Sequence, residues 1–307
     1  MLIGIDIGGT KCALTYGDAL GNVIEKRRFE TADVNGTLNK IIETAKELYE
    51  LGDVTAVGIS CGGPLDEKRG IIMSPPNLAG WDNIHITEMI EDALGVPCGI
   101  RNDANACAMA EYYFGAGRGT QNMVFMTFGT GLGAGIIANG RLVSGANGNA
   151  GELGHIRLSH FGPAGYGKSG SFEGFCSGTG IAELGRTFKQ EAAQSGVRTD
   201  WEPIPADMAR AARAGDVYAK KAFDTSGRML GYGLSMVIDL LNPEKIIIGS
   251  VFARCYDLLT PAMNEIINVE ALPASKNVCE ICTPELGERI GDVAALAVAK
   301  EVHDELR

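Results

Sequence analysis

In the first third of the chain, short apolar runs alternate with longer stretches of helical spacing, a pattern typical of an α/β sheet. Residues 2–7 predict a buried strand, Gly8-Gly9 a tight turn and residues 12–16 a returning strand. The elements predicted next are strands at 22–29, 54–60 and 97–101 and helices at 38–51, 86–94 and 103–114. Glycine and proline cluster between residues 62 and 77 and predict turns there.

A second block repeats this pattern from about residue 121 onward. The run DIGGTKCAL at 6–14 is echoed by TFGTGLGAGI at 127–136, and both read as a strand, a glycine- and threonine-rich turn and a returning strand. The repeat predicts two similar α/β lobes around a cleft, a smaller one of 1–115 plus 290–307 and a larger one of 116–289. Within the second block, residues 141–176 read as irregular, strands are predicted at 123–128, 134–138, 245–248 and 277–281, and helices at 179–193, 206–214, 217–241, 256–267 and 291–306.

The two glycine turns are candidate anion sites. Glycine has no Cβ and reaches positive φ, so main-chain N–H groups of such a turn can close on a phosphate, to which Thr10 and Lys11 can add donors. Either turn alone is equally compatible with an ordinary hairpin. Asp6 precedes the first turn and can hold a metal through water, so the pair of turns suits a magnesium nucleotide. Neither turn matches the P-loop or the dinucleotide-binding fingerprint.

Composition narrows the class of protein. With 45% hydrophobic residues in a chain of 307, a sizeable core can form, which excludes a disordered protein. The 27 basic and 38 acidic residues give a net charge of −11 without a basic run, so nucleic acid is not expected as a partner. No apolar run is long enough for a signal peptide or a membrane span, so we expect a cytoplasmic protein. The scattered cysteines fit reduced, buried thiols.

Several short segments occur in an order that resembles one protein family. They are Asp6-Ile7-Gly8-Gly9-Thr10-Lys11, Arg101-Asn102-Asp103-Ala104-Asn105-Ala106, Gly129-Thr130-Gly131-Leu132-Gly133 with Asn139-Gly140, and Ala150-Gly151-Glu152-Leu153-Gly154-His155. Over essentially its whole length the chain resembles the ROK family of sugar kinases and repressors, in the actin-like ATPase superfamily. The resemblance implies a two-lobed, actin-like (ribonuclease H-like) α/β fold, phosphorylation of a hexose or amino-hexose by ATP and magnesium, and a homodimer.

Phosphoryl transfer to a sugar hydroxyl needs a base within hydrogen-bond reach, and Asp103 is the candidate. It lies where a predicted strand ends and a helix begins, an edge that exposes ligands in α/β sheets, although aspartate also favours the helix N-cap. The resemblance implies that Asp103 takes the proton of the attacking hydroxyl, the 6-hydroxyl of the hexose, and that Asn102 and Asp103 hold the sugar. The other sugar-binding positions that it implies are Gly63, Asn77, Glu152, His155 and Glu173. The nucleotide-binding positions that it implies are Asp6 with water-held magnesium, Gly8, Gly9, Thr10, Lys11, Gly129, Thr130, Gly131 and Gly249.

One segment departs from the family pattern in the residues of a metal site. Most members hold a structural zinc with one histidine and three cysteines in a C-x-C-G-x-x-G-C-x-E run, and the cysteine positions are here Ala164, Tyr166 and Ser171. None of these supplies a thiolate, and Cys176 is out of register, so we expect no zinc. His155 then acts as a sugar ligand whose orientation depends on protein hydrogen bonds rather than on a metal.

Several alternatives stay open. Gly63 and Asn77 are also compatible with plain turn positions, and Glu173 with a solvated charge. Gly249-Ser250-Val251 replaces the longer glycine run of relatives, and its side chains can reshape the adenine or ribose pocket, so the nucleotide preference is less fixed than phosphate binding. The phosphoryl donor, ATP or polyphosphate, is open as well. The sugar is glucose or a relative such as mannose, fructose, N-acetylglucosamine or N-acetylmannosamine. A sugar-sensing repressor is the second hypothesis, but the predicted strand at 2–7 is expected to leave no room for a preceding DNA-binding domain. A sugar-binding protein without turnover is the third, and the intact acids Asp6 and Asp103 argue against it.

Overall fold

The computed structural model describes residues 1–306. The strands in this part of the chain are β1 (Leu2–Ile7), β2 (Lys11–Gly17), β3 (Val23–Glu30), β4 (Ala56–Cys61), β5 (Leu65–Asp66), β6 (Ile71–Ile72), β7 (Ile84–His85), β8 (Cys98–Asn102), β9 (Met123–Phe128), β10 (Leu132–Ala138), β11 (Arg141–Leu142), β12 (Ala164–Gly165), β13 (Lys168–Ser169), β14 (Lys245–Ser250) and β15 (Glu280–Cys282). The helices are α1 (Val34–Tyr49), α2 (Ile86–Leu94), α3 (Asp103–Phe114), α4 (Phe172–Phe175), α5 (Gly178–Gln194), α6 (Pro205–Arg213), α7 (Val217–Leu241), α8 (Val251–Arg254), α9 (Tyr256–Glu270), α10 (Pro273–Lys276) and α11 (Ile290–Glu305), with 3-10 turns at Leu153–His155 and Gly287–Arg289.

Two mixed five-stranded sheets organise the chain, in the orders β3-β2-β1-β4-β8 and β11-β10-β9-β14-β15. The chain divides into two compact units. The first contains Met1–Gly119, Gly135–Ala150 and the chain from Glu285 onward, and the second contains Thr120–Ala134 and Gly151–Pro284. Relative to the predicted lobes, residues 135–150 join the first unit. No described helix has the length and apolar character that a membrane crossing requires.

In the first unit, β1 is antiparallel to β2 and parallel to β4, which in turn is parallel to β8. The residues of β1 are buried except for Asp6, which is half-buried, because helices cover both faces of the sheet. On one face, apolar residues of α1 and α2 such as Ile41 and Ile90 pack into the core. On the other face lies α11, and a Cβ at Gly58 would stand 2.1 Å from the backbone nitrogen of Ala299. A glycine in β4 is therefore required for α11 to approach the sheet.

In the second unit, β9, β14 and β15 are parallel neighbours. The long helix α7 begins at an N-cap, Asp216, whose side chain accepts a hydrogen bond from the backbone nitrogen of Ala219, and ends at Asn242 in the left-handed conformation. Along α7, a Cβ at Gly227 would stand 2.5 Å from the backbone oxygen of Leu259 in α9. This glycine allows close packing of the two helices.

The predicted elements are present, with differences at their ends and in the loops. Helix α1 begins at Val34, earlier than predicted, because the side chain of Asp33 accepts a hydrogen bond from the backbone nitrogen of Gly36 and caps it. The prediction that 141–176 is irregular is wrong in part, since β11, the β12–β13 hairpin and α4 lie there. Near the end of the chain, Pro273 opens the unpredicted helix α10, so the following strand starts at Glu280 rather than at 277.

Candidate active site

Three parallel strands of the first unit end at one edge of its sheet, and the residues predicted for catalysis lie there. Asp6 of β1 is in register with Ser60 of β4, which is in register with Arg101 of β8. Asn102 ends β8, and Asp103 begins α3. Because the carboxyl ends of parallel strands present their loops and helix N-termini at the same edge, this edge is where the unit can hold a ligand.

At this edge, Asn102 rather than Asp103 is the N-cap of α3. Its Oδ1 accepts a hydrogen bond from the backbone nitrogen of Ala104 at 2.9 Å, and Oδ1 of Asp103 accepts from the same nitrogen at 2.8 Å. The Asp103 side chain stays accessible to solvent. Partial loss of its hydration raises the pKa of Asp103 above the ordinary value, against the lowering effect of the Ala104 N–H. Such a carboxylate is a stronger base than an ordinary surface aspartate.

Glu67, in the turn after β5, supports this corner. Its Oε1 accepts hydrogen bonds from the backbone nitrogen of Asn102 at 3.0 Å and from Nδ2 of Asn105 at 3.4 Å. Its Oε2 is buried and has no hydrogen-bond partner among the described residues. No role of Glu67 was predicted from the sequence, because a glutamate within the charged run 66–69 is typical of an exposed turn.

Asp6 is the second carboxyl at this edge. Burial is the main reason that its pKa rises from 3.8 to about 6, and the negative charges of Asp103 and Asp292 add to the effect. The hydroxyl of Ser60 and the positive charge of Lys26, which forms an ion pair with Asp292, lower it in part. A site with neighbouring carboxylates and a raised pKa favours a bound cation, since a cation would relieve their repulsion.

The first glycine turn and the predicted sugar-binding residues of this unit are close together. A Cβ at Gly9 would stand 2.2 Å from the backbone oxygen of Asn77, so only glycine allows the turn to approach that loop. A Cβ at Gly63 would stand 3.3 Å from Nδ2 of Asn102. The turn itself is closed by a hydrogen bond of 3.1 Å from the backbone nitrogen of Gly8 to the oxygen of Lys11. Gly9, Asn77, Gly63 and Asn102 are thus brought to one place, with Thr10 and Lys11 exposed beside them.

The second glycine turn, Gly129–Gly131, follows β9 in the second unit. The backbone oxygen of Gly129 accepts a hydrogen bond of 2.7 Å from the backbone nitrogen of Gly178, and that of Thr130 accepts one of 2.9 Å from the hydroxyl of Thr179. The turn is therefore fastened to the N-terminus of α5, where N–H groups and the helix dipole favour anions. Glu173 also belongs here, since its Oε2 accepts from the backbone nitrogen of Leu132 at 2.9 Å.

The Gly-Glu-Leu-Gly-His segment lies beside this turn. A Cβ at Gly154 would stand 2.4 Å from the backbone oxygen of Leu132 and 3.3 Å from Cβ of Glu173, so the segment packs closely on both. Glu152 and His155 are exposed at its two ends. Their side chains are therefore accessible to a polar ligand, as recognition of sugar hydroxyls requires.

A cavity of about 460 Å³ opens beside Gly129 and Thr130 in the second unit. The residues that complete its lining are Gly178, Thr179, Ala182, Arg186, Pro203, Ile204, Pro205, Ser250, Val251 and Arg254. Gly249 is the penultimate residue of β14 and directly precedes Ser250, which lines the cavity. Ser250 has a φ of 62°, a conformation that favours glycine. Arg186 and Arg254 were not predicted as site residues, because nothing in their local sequence distinguishes them from surface arginines on amphipathic helices.

The residues present fit one of the two metals that the family implies. No group of three or more His, Cys, Asp or Glu able to hold a metal occurs within residues 1–306. Magnesium in phosphoryl-transfer enzymes needs only one or two carboxylates, with water and phosphates as the other ligands, and Asp6 fits that role. Zinc needs four nitrogen or sulfur ligands, and the methyl group of Ala164, the phenol of Tyr166 and the buried hydroxyl of Ser171 do not fit it.

Known proteins are similar to this chain over nearly its whole length. The model of the ROK family matches residues 2–302. A glucokinase of Halalkalibacterium halodurans is 30% identical, with 97% of this chain and 94% of that protein covered. The crystal structure of a ROK family glucokinase from Streptomyces griseus in complex with glucose and AMPPNP has a TM-score of 0.74 at 30% identity, covering 98% of this chain and 99% of that one. A DNA-binding transcriptional dual regulator of Escherichia coli is 29% identical, with 97% of this chain and 75% of the regulator covered.

The two mixed five-stranded sheets and the similar structures define an α/β protein of the actin-like two-domain class, which confirms the predicted fold. Within that class the chain belongs to the ROK family, as predicted. Because its relatives include both glucokinases and a transcriptional regulator, the activity of this chain has to be argued from its own site residues.

Proposed function

We propose that this protein is an ATP-dependent hexose kinase that transfers the γ-phosphoryl group of magnesium ATP to the 6-hydroxyl of a hexose, with glucose as the first substrate to test. The observation that carries the proposal is the accessible Asp103 carboxyl, with its raised pKa, at the same sheet edge as the Asp6 carboxyl. The glucokinases among the relatives support it.

In the first unit, Asp103 is assigned as the general base that accepts the proton of the sugar hydroxyl as its oxygen bonds to the γ-phosphorus and the bond to the bridging oxygen of ADP breaks. Asn102, Asn77 and Gly63 are assigned to the sugar, in keeping with their proximity in the unit. Asp6 is assigned to magnesium, held through water. When bound, the metal would neutralise part of the negative charge on the phosphates.

In the same unit, the N–H groups of Gly8–Lys11, with the side chains of Thr10 and Lys11, are assigned to phosphate oxygens. In the second unit, the turn Gly129–Gly131 has the same role, and the adjoining cavity near Gly249 is assigned to the nucleoside. A volume of about 460 Å³ suits a ligand of that size. Glu152 and His155 are assigned to sugar hydroxyls. Glu173 is assigned to the sugar and also ties the turn through Leu132.

The proposal extends to the setting of the enzyme. ATP and hexoses meet in the cytoplasm, and we place the activity there, with no nucleic acid or membrane partner. The homodimer implied by the family stays a prediction, which the mass measured by light scattering during gel filtration tests.

The test is a coupled ADP-release assay with magnesium ATP and a panel of glucose, mannose, fructose, N-acetylglucosamine and N-acetylmannosamine. We expect turnover with one of these sugars, loss of turnover in Asp103→Asn, and little ADP release without sugar. Polyphosphate in place of ATP tests the donor. Sugar binding by calorimetry without turnover on any member of the panel would instead support a non-catalytic sugar sensor.

A further inference from the structure

The segment from His155 to Ser171 has kept its shape-determining glycines but not the side chains that bind zinc. Ala164 and Tyr166 are exposed, whereas Ser171 is completely buried. Cys176 lies nearby but is buried too, and its Sγ is 3.5 Å from the backbone oxygen of Ser226 in α7. The segment therefore needs another way to hold itself together, and its hydrogen bonds show what that is.

The hydroxyl of Ser171 joins two parts of the segment. Its Oγ accepts hydrogen bonds from the backbone nitrogen of Gly174 at 3.0 Å and from that of Gly165 at 3.2 Å. The first bond caps α4, the helix that carries Glu173, and the second fastens strand β12. A single buried atom thus links the hairpin to the helix, as a shared metal would link its ligands.

The hairpin β12–β13 is closed by a two-residue turn, Tyr166-Gly167. Both residues have positive φ, 48° and 74°, which is the combination of a type I′ turn. Glycine adopts this conformation without strain, but tyrosine does so only at a cost. A tyrosine at this position is thus unexplained by the turn itself and needs a reason in its contacts.

The contact that Tyr166 makes is with His155. The two rings meet edge to face, with their centroids 5.1 Å apart and their planes at 73°. From the other side of the same hairpin, Nζ of Lys168 donates a hydrogen bond to the backbone oxygen of His155. Because His155 is exposed, the core does not fix its ring. The edge-to-face contact with Tyr166 holds the ring instead, and the Lys168 hydrogen bond holds the backbone of the same residue.

We propose that Tyr166 is a positioning residue that orients the His155 imidazole toward the sugar without a metal, while Lys168 holds the backbone of His155 and the Ser171 hydroxyl holds the hairpin of Tyr166 and Lys168 on α4. The part that concerns sugar rests on the proposed kinase function. The part that concerns the ring of His155 and the lack of zinc stands on the contacts of the second unit alone.

The test compares Tyr166→Ala with Tyr166→Phe. Both variants keep a non-glycine residue at the strained φ, so they differ in the ring and not in the backbone cost. We expect Tyr166→Ala to raise the sugar KM about three- to tenfold, the range of an aromatic pair, with kcat within about twofold. Tyr166→Phe keeps the ring and should stay within about twofold of the unchanged protein in both constants. Equal sugar KM values in the two variants would overturn the proposal.

Zinc content is the second readout, measured by mass spectrometry of the dialysed protein. We expect well below about 0.1 zinc per chain and an unchanged sugar KM after treatment with a chelator. About one zinc per chain, with a sugar KM that rises when it is removed, would overturn the proposal.

A third readout does not depend on turnover. The chain has four histidines, so the imidazole proton resonances of His155 are assigned from their loss in His155→Gln. We expect Tyr166→Ala to shift them by removing the ring current of the tyrosine, and Tyr166→Phe to leave them nearly in place. If the protein phosphorylates no sugar but this shift is seen, the proposed function fails and the orientation of His155 by Tyr166 stands. An unchanged resonance in Tyr166→Ala overturns the inference itself.

Discussion

The two glycine turns come from the same internal repeat, yet they are held by different means. The first is closed by strand hydrogen bonds and by the hydroxyl of Thr31, which donates to the backbone oxygen of Gly8 at 2.7 Å. The second is fastened to the N-terminus of α5 and, through the backbone nitrogen of Leu132, to the carboxylate of Glu173. A turn within a hairpin can present N–H groups beside a metal, whereas a turn beside a helix N-terminus adds the helix dipole for an anion.

The turns also differ in charge. Two residues before the first turn stands Asp6, and the matching position before the second is Thr127. Asp103 and Asp292 add their charges around Asp6. Under the proposed function, acid–base and metal chemistry therefore belong to the first unit, and the second unit holds ligands.

The largest effect is expected for Asp103→Asn. Removal of a general base should lower kcat by about 10³-fold or more, with the sugar Kd changed much less. The amide oxygen of asparagine can still accept the hydrogen bond from the Ala104 nitrogen, so the melting temperature should not fall. The control is Asp200→Asn, at an exposed aspartate paired only with Arg198. Full activity of Asp103→Asn would show that Asp103 is not the general base.

The turns themselves should respond differently to alanine. At Gly9 the added Cβ meets a backbone oxygen at 2.2 Å, while at Gly129 the nearest atom is Oγ of Ser250 at 3.6 Å. Gly9→Ala must move the turn away from the Asn77 loop, and we expect kcat/KM to fall by about 10²-fold and unfolding to become easier by about 1–3 kcal/mol. In urea titrations, the free energy of unfolding of Gly129→Ala should stay within about 0.5 kcal/mol of that of the unchanged protein. Equal destabilisation by both would contradict the difference in packing.

Asp6→Asn should lower the activity and raise the stability of the protein at pH 7. The folded protein holds the proton of Asp6 more tightly than the unfolded chain, whose pKa is 3.8, so the contribution of Asp6 to stability falls as pH rises toward about 6. Removing the charge should make the protein up to about 3 kcal/mol more stable at pH 7 while lowering kcat about 10- to 100-fold. Urea unfolding of both proteins at pH 4 and pH 7 checks this, and a variant less stable than the original at pH 7 would count against it.

The same carboxyls set the pH profile of the kinase. Burial raises the pKa of Asp103, and it raises that of Asp6 to about 6. Because the two carboxyls also interact, kcat/KM should fall on the acid side well above pH 4. An acid limb centred near the ordinary aspartate value of 3.8 would show that neither carboxyl is perturbed in solution.

The smallest effect is expected for Glu67, which acts through other residues. Glu67→Ala removes the acceptor of the Asn102 nitrogen and should lower kcat/KM about tenfold, whereas Glu67→Gln keeps an acceptor oxygen and should lose about threefold or less. Identical values for the two variants would show that the hydrogen bond is not what matters at this position.

The fold and the local parts of the site could be predicted because their signals are local. Gly8 and Gly9 are consecutive residues, and so are Asn102, which ends a strand, and Asp103, which begins a helix, so each signal lies within one short segment. Glu67 could not be predicted, because its meaning comes from Asn102, which lies far away in sequence and next to it in the unit. The link between Glu173 and the second turn is of the same kind, since it joins residues 41 apart.

Phosphoryl transfer to the sugar with Asp103 as the base is tested by identifying the product with phosphorus NMR, after incubation with magnesium ATP and the sugar selected by the panel. We expect a hexose 6-phosphate resonance that grows together with ADP in equal amounts and is absent in Asp103→Asn. ADP accompanied by inorganic phosphate and no sugar ester, or an equal yield of ester from Asp103→Asn, would contradict it.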